Sequence, residues 1–231
     1  MCPKCKDTGY ITILQDGEEI AKLCDCRKEE VLRKSWEREL KKSGIPALYH
    51  FLRLDDYKKS NVYPVNAETV AKIEKYFEGI KNSEFGIYLI SPDKNCGKTT
   101  LLCYIGKRYL LEGKQVFYIT LEQLYDLYLE VIMREKVKSE KWEKINDSQI
   151  ILIDDVFDND RFNIDDKDDR SNKIYNCFSR LLQEGKHLFL AGKTEIKKIK
   201  NPALQSLIER YFYPLILRGE IQFDLSKKLR L

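Results

Sequence analysis

Gly86-Ile87-Tyr88-Leu89-Ile90, followed directly by Ser91-Pro92-Asp93-Lys94-Asn95-Cys96-Gly97-Lys98-Thr99-Thr100, reads as a buried strand running into a near-match of the phosphate-binding pattern G-x-x-x-x-G-K-[ST]. Such a loop lets backbone N–H groups converge on phosphate oxygens, and the helix that follows adds its positive N-terminal end. Gly97, Lys98 and Thr99 hold the last three pattern positions, so Lys98 is placed to reach the outer phosphates and Thr99 to ligate magnesium. Pro92 stands where the first glycine belongs. Asn95 sits where many such loops carry another glycine, and Asn tolerates the left-handed backbone of a tight turn. The alternative is a chance Gly-Lys-Thr at a helix start. Against it, Leu102, Ile105 and Tyr109 recur at helical spacing after the loop, so strand, loop and helix come in the required order. The candidate nucleotide-binding residues are therefore Asp93, Lys94, Asn95, Cys96, Gly97, Lys98, Thr99 and Thr100.

Some fifty residues on, Gln149-Ile150-Ile151-Leu152-Ile153-Asp154-Asp155 is an apolar strand ending in two carboxylates, the shape of a Walker B motif. Asp154 fits a magnesium-holding role and Asp155 the orientation or deprotonation of an attacking water. A buried strand before an ordinary acidic turn would look similar in isolation. Beside the loop, the pair predicts binding of ATP with Mg2+.

The 231 residues suffice for one domain and a small appendage, and 43% hydrophobic against 34% charged residues is the balance of a soluble globular chain. No apolar run reaches membrane-spanning length. Met1 is followed at once by Cys2-Pro3-Lys4-Cys5 rather than by a secretory segment, which predicts a cytoplasmic location without membrane partners. The net charge of +4 is too small to argue nucleic-acid binding by itself. Basic residues do gather at Lys193, Lys197, Lys198 and Lys200, and at Lys227, Lys228 and Arg230, as a solvated face or a DNA-facing edge.

Four of the seven cysteines form Cys2-x-x-Cys5 and Cys24-x-Cys26. With Gly9 and Asp16-Gly17 as turns, and Tyr10 to Leu14 and Ile20 to Leu23 as paired strands, this reads as a zinc ribbon with Cys2, Cys5, Cys24 and Cys26 as Zn2+ ligands. Reduced structural cysteines or a redox pair are the alternatives. So small a module leans on its metal for stability. Cys96, Cys103 and Cys177 lack ligand spacing and read as packing residues. Arg27 to Lys42 is a charged helix with Leu32, Trp36 and Leu40 on one stripe and Glu29–Arg33, Glu30–Lys34 and Glu37–Lys41 at i,i+4. Ser43-Gly44-Ile45-Pro46 ends it.

From Asn66 onward helix and strand patterns alternate. Val70, Ile73, Phe77 and Ile80 mark a helix, and Val116 to Ile119 a strand. Thr120 and Gln123 form a capping box for a helix with Leu121, Leu124, Tyr125, Tyr128, Leu129 and Ile132 inward. A helix from Ser171 stops at Gly185, Leu188 to Ala191 is a strand, Asn201-Pro202 opens the helix to Tyr211, and Ile221 to Leu225 is a last strand. The acidic stretch from Asp158 to Arg170 reads as a loop beside the nucleotide. The fold class is α/β, a three-layer parallel-sheet core. The domains are 1–45 (ribbon and helix), 46–65 (connector) and 66–231 (ATPase core).

Cys2-Pro3-Lys4-Cys5-Lys6-Asp7-Thr8-Gly9-Tyr10, Cys24-Asp25-Cys26-Arg27, Ser43-Gly44-Ile45-Pro46, the phosphate loop and Ile151 to Asp155 together resemble replicative helicase loaders of the DnaC/DnaI type, members of the AAA+ class. The resemblance covers nearly the whole chain and implies a P-loop AAA+ core without a lid domain. It further implies that the N-terminal module grips a replicative DNA helicase and that ATP switches its delivery to single-stranded DNA. The family's DNA-contacting helical insertion maps to Leu121 to Lys144, with Arg134, Lys136, Lys138, Lys141 and Lys144 as its basic candidates. AAA+ proteins complete the site with an arginine from a neighbouring subunit, which implies a homo-oligomer; Arg210 is the candidate, with Arg218 nearby. Three features depart from the family: Pro92, Asp155 in place of a longer glutamate, and Gly192-Lys193-Thr194 where a Ser/Thr-Asn pair senses the γ-phosphate, leaving Thr194 as substitute. Slow hydrolysis follows. The competing readings are a transposition-helper ATPase of the IstB type, which does not normally carry the cysteine ribbon, and a nucleotide-holding adaptor.

Overall fold

The computed structural model describes residues 2–15, 17–80, 85–133, 139–157 and 169–219, which separate into two compact units, Met1–Lys42 and Ser43–Leu231. In the first, β1 (Tyr10–Gln15) and β2 (Glu18–Leu23) pair antiparallel from Tyr10↔Leu23 to Gln15↔Glu18. Gly17 turns the hairpin at φ +87°, as its place in the sequence predicts, while Asp16 lies outside the described residues. α1 (Asp25–Lys42) carries the surface pairs Glu30–Lys34 at 2.6 Å and Arg33–Glu37 at 2.8 Å, worth a few tenths of a kcal/mol each. Its expected stripe is graded: Leu32 is 68% exposed, Trp36 half-buried and Leu40 buried.

The second unit is built on a sheet of five parallel strands in the order β4-β5-β6-β3-β7: β3 (Gly86–Ile90), β4 (Val116–Thr120), β5 (Ile150–Val156), β6 (His187–Gly192) and β7 (Phe212–Ile216). Its helices are α2 (Leu54–Lys58), α3 (Tyr63–Lys75), α4 (Lys98–Leu111), α5 (Leu121–Met133), α6 (Glu140–Asp147), α7 (Asp169–Gln183) and α8 (Pro202–Tyr211). Side-chain alternation shows the three layers. Tyr88, Ile90, Ile151, Ile153, Leu188 and Leu190 join the core formed with α5 to α8. Leu152 lies against Gly106 of α4, and Phe189 against Tyr109 of α4 at 5.4 Å between ring centroids. A parallel sheet covered on both faces explains why its strands read as unbroken apolar runs.

Several predicted ends are realised. The Thr120 and Gln123 capping box forms with both bonds at 3.3 Å, and Gly185 closes α7 at φ +75°. Asn201 caps α8 through Leu204 N–H at 2.9 Å; its own amide donates to Ser171 Oγ at 2.9 Å and Asn172 Oδ1 at 3.1 Å. Because Asn201 is 1% exposed, Asn201→Ala loses a cap and strands buried partners, for about 2 kcal/mol. A denaturant titration is expected to show that loss, with the thermal midpoint about 5 °C lower.

β7 is a strand that the sequence reading did not mark. β7 precedes the expected Ile221 to Leu225 strand, which lies outside the described residues, as do Asp158 to Asp168. Pro214 lies inside β7 and argues against a strand in sequence; an edge strand tolerates it, and among the described residues β7 pairs with β3 alone. Residues 46–65 also carry structure, including α2 and the start of α3, within the same unit as the sheet.

Candidate nucleotide site and cysteine centre

The C-terminal ends of β3, β5 and β6 lie side by side, the edge where open parallel sheets bind ligands. The loop after β3 is anchored there by Ser91 N–H donating to Gly192 O at 3.0 Å. Asn95 takes φ +55° and Gly97 φ +87°, the left-handed turns that Asn and Gly permit. Lys98 donates its ammonium to Ser91 O and Asp93 O, each at 3.1 Å, so the cation is held by the carbonyls on either side of Pro92. Thr99 and Thr100 open the first turn of α4, whose leading N–H groups have no intrahelical partner by geometry. This donor set suits a polyphosphate.

At the end of β5 the register with β6 shifts between Ile153 and Val156, and Asp155 and Phe157 take φ +54° and +56°. The break turns the two carboxylates to different surroundings. Asp154 is 2% exposed; Tyr118 of β4 donates its hydroxyl to Oδ2 at 2.7 Å and Asp155 N–H donates to Oδ1 at 3.0 Å. Asp155 faces solvent. A buried carboxylate whose hydrogen bonds come from neutral donors fits a divalent cation, which would supply the charge that burial otherwise leaves uncompensated.

The stretch before α3 closes one side of the site. Tyr57 donates to Cys96 O at 2.9 Å and its ring lies so close to Gly97 that a Cβ there would overlap it; burial pushes its phenol up to about 12. Lys107 of α4 is buried and donates to Tyr49 O at 2.7 Å and to Leu52 O. On the far side, Asn66 accepts from Arg218 N–H at 2.7 Å and donates to Arg218 O at 2.8 Å, while Gly219 N–H donates to Asp93 Oδ2 at 2.7 Å.

Thr194 donates its hydroxyl to Phe157 O at 2.9 Å and accepts from Tyr88 at its carbonyl at 2.8 Å, tying the ends of β5, β6 and β3 together. Arg210 lies elsewhere: α8 ends where β7 begins opposite Gly86, at the sheet edge away from the loop. Its guanidinium stands 5.4 Å from the Tyr211 ring, in a cavity of about 410 Å3 shared with Tyr175 and Ser179. Among the basic candidates, Lys144 pairs with Glu140 at 2.8 Å and Lys141 is exposed. Arg134, Lys136, Lys138, Lys227, Lys228 and Arg230 lie outside the described residues. Cys96, Cys103 and Cys177 are all buried, as packing residues are.

In the first unit the sulfurs of Cys2, Cys5, Cys24 and Cys26 converge within 4.8 Å of one another, with Cys2–Cys24 at 3.8 Å and Cys5–Cys26 at 3.5 Å. These separations exceed a disulfide bond and approach the edge of about 3.8 Å that a tetrahedron with metal–sulfur bonds of about 2.3 Å requires. Lys6 and Asp7 at φ +49° and +66° wrap the first turn, fastened by Lys6 N–H to Cys2 O at 2.9 Å and Cys2 N–H to Asp7 at 2.7 Å. Backbone N–H groups of Cys5 and Lys4 pull the Cys2 thiol down to about 6, while hydrogen bonding among the thiols raises Cys26. The four sulfurs fit a tetrahedral metal ion.

A family model described as the bacterial DnaA ATPase domain matches residues 65–215, the stretch containing the loop and both carboxylates. The chain belongs to the bacterial DnaA ATPase domain family. Solved structures share its fold. AMPPCP-bound DnaA from Aquifex aeolicus is 17% identical at a TM-score of 0.52, covering 80% of this chain and 55% of that one. The DnaC helicase loader is 14% identical at 0.56, covering 75% and 100%, and DnaI is 15% identical at 0.54, covering 75% and 94%. The chain thus spans about half the length of the DnaA structure but nearly all of the two loader structures. No curated protein matches its sequence. The AAA+ fold implied by the sequence resemblance is the observed one, and the DnaA-type domain is an ATPase domain. Among the described residues no helix is long and apolar enough to cross a membrane.

Sequence reasoning missed Tyr49, Tyr57, Asn66, Lys107 and Tyr118. Tyr118 alone left a signal, a phenol inside an otherwise aliphatic strand.

Proposed function

We propose that the chain is a cytoplasmic helicase loader: it binds ATP and Mg2+ at the Lys98–Asp154 site, hydrolyses ATP slowly, and helps deliver a replicative DNA helicase to single-stranded DNA. The observation that carries this reading is the pairing of that site with a four-cysteine centre on a fold that covers the whole DnaC helicase loader structure. Residues 1–45 serve as the partner-docking module with structural zinc on Cys2, Cys5, Cys24 and Cys26, residues 46–65 as connector and 66–231 as ATPase core. Single-stranded DNA as a ligand is supported by a DnaA structure bound to AMPPCP and single-stranded DNA, at 18% identity. Lys141 and the Lys193 to Lys200 cluster are candidate phosphate contacts. Arg210, away from its own loop, is assigned to a neighbouring subunit's nucleotide in a homo-oligomer.

Slow turnover follows from the short, solvent-facing Asp155 and from Thr194, whose hydroxyl is engaged by Phe157 O rather than directed at a phosphate. Those features also support the second reading, a nucleotide-holding adaptor. The four-cysteine centre speaks against the transposition-helper alternative. The deciding measurement is ATP hydrolysis with and without single-stranded DNA, alongside co-elution with a replicative helicase. A helicase complex that depends on nucleotide, with turnover on the order of 1 per minute, is expected. No complex under any nucleotide condition overturns the loader assignment, and a complex without turnover selects the adaptor.

A further inference from the structure

A tyrosine from the neighbouring strand meets the metal side of the site. Tyr118, in β4, donates to Asp154 Oδ2 at 2.7 Å across the β4–β5 pairing, and Asp154 is 2% exposed. The other carboxylate oxygen, Oδ1, accepts from Asp155 N–H at 3.0 Å.

We propose that Tyr118 is a positioning residue for the metal ion, orienting the Asp154 carboxylate. The inference rests on the Mg2+–nucleotide reading above and adds one residue to it. A carboxylate oxygen accepts along more than one direction, so a single phenol on Oδ2 sets the carboxylate plane and leaves lone pairs for a metal or its water. A phenol suits the place because it is neutral. Lysine or arginine would neutralise Asp154 and oppose an incoming cation. Outer partners of this kind govern metal affinity without touching the metal.

The test uses the full chain with Y118F, which removes one oxygen and keeps the ring. A fluorescent ATP analogue is titrated across a Mg2+ series and again in EDTA. Half-maximal Mg2+ is expected to rise on the order of 10-fold, with affinity in EDTA within about twofold of wild type. A role in packing alone would weaken binding equally with and without metal. That pattern, or an unchanged Mg2+ requirement, overturns the inference while leaving the nucleotide reading intact. A wild-type chain whose nucleotide binding ignores Mg2+ overturns that reading, and this inference with it. Y118L, which also removes the oxygen and keeps apolar bulk, carries the comparison if Y118F does not accumulate as folded protein.

Discussion

Lys98→Ala is expected to weaken ATP binding on the order of 100-fold, with little effect on folding. Among the described residues the ammonium is held by two loop carbonyls, Ser91 O and Asp93 O, and by the softer Cys96 sulfur at 3.8 Å, so its removal leaves no buried charge unpaired there. A triphosphate, by contrast, loses charge-assisted hydrogen bonds worth about 1.5–3 kcal/mol, one to two decades in affinity, plus the attraction of a full positive charge. Isothermal titration with ATP and Mg2+ reads the effect directly. Unchanged affinity would remove the loop from the site, however well its pattern fits. The thermal midpoint without nucleotide is expected to stay within about 2 °C of wild type, which separates lost binding from lost structure.

The second large effect concerns the cysteine centre. Chelation of the purified protein is expected to unfold residues 2–42 while the sheet unit keeps its own transition. Of the large apolar side chains in that unit, Tyr10, Leu14, Ile20, Val31 and Leu32 are all 41% exposed or more, so little apolar burial opposes its chain entropy. Structural zinc contributes about 10–16 kcal/mol in small metal modules, several times the stability such a module reaches unaided. Amide exchange should show protection lost across the β1–β2 hairpin and kept in β3, β5 and β6, with metal analysis giving one zinc per chain before chelation. A preparation with all four thiols intact and no metal overturns the assignment. Cys24→Ser, at a sulfur with 0% exposure, is expected to reproduce the chelated state.

How legible each part was depends on the range of the interactions behind it. The loop, the α8 cap and the hairpin turn act within a few residues: Asn95 and Gly97 in left-handed turns, Asn201 reaching Leu204, Gly17 at the hairpin. Such features carry their own signatures, so their positions were readable along the chain. The Asp154-Asp155 pair was legible as a type of site but not as two environments, since the bulge that separates them arises from pairing with β6. β7 was missed because Pro214 cannot donate to a ladder and so reads against a strand, and its place at the edge of the sheet among the described residues removes the conflict. The structure between residues 46 and 65 was hidden for another reason. A helix of five residues shows no period, and Tyr57 takes its meaning from a carbonyl 39 residues away.

The same division separates what the sequence alone determined from what tertiary structure decided. The residue order by itself determined the chemistry available: a Gly97-Lys98-Thr99 turn at a helix start, two carboxylates at a strand end, four cysteines at ligand spacing, and apolar runs suited only to a sheet covered on both faces. All of these depend on side-chain identity and short covalent spacing. Tertiary structure alone decided which of those groups are buried and what faces them: Asp154 under Tyr118, Lys107 anchoring Tyr49 and Leu52, and Arg210 at the edge opposite its own loop. Strand order and register set these contacts, and pairing between segments dozens of residues apart leaves no periodic trace in either.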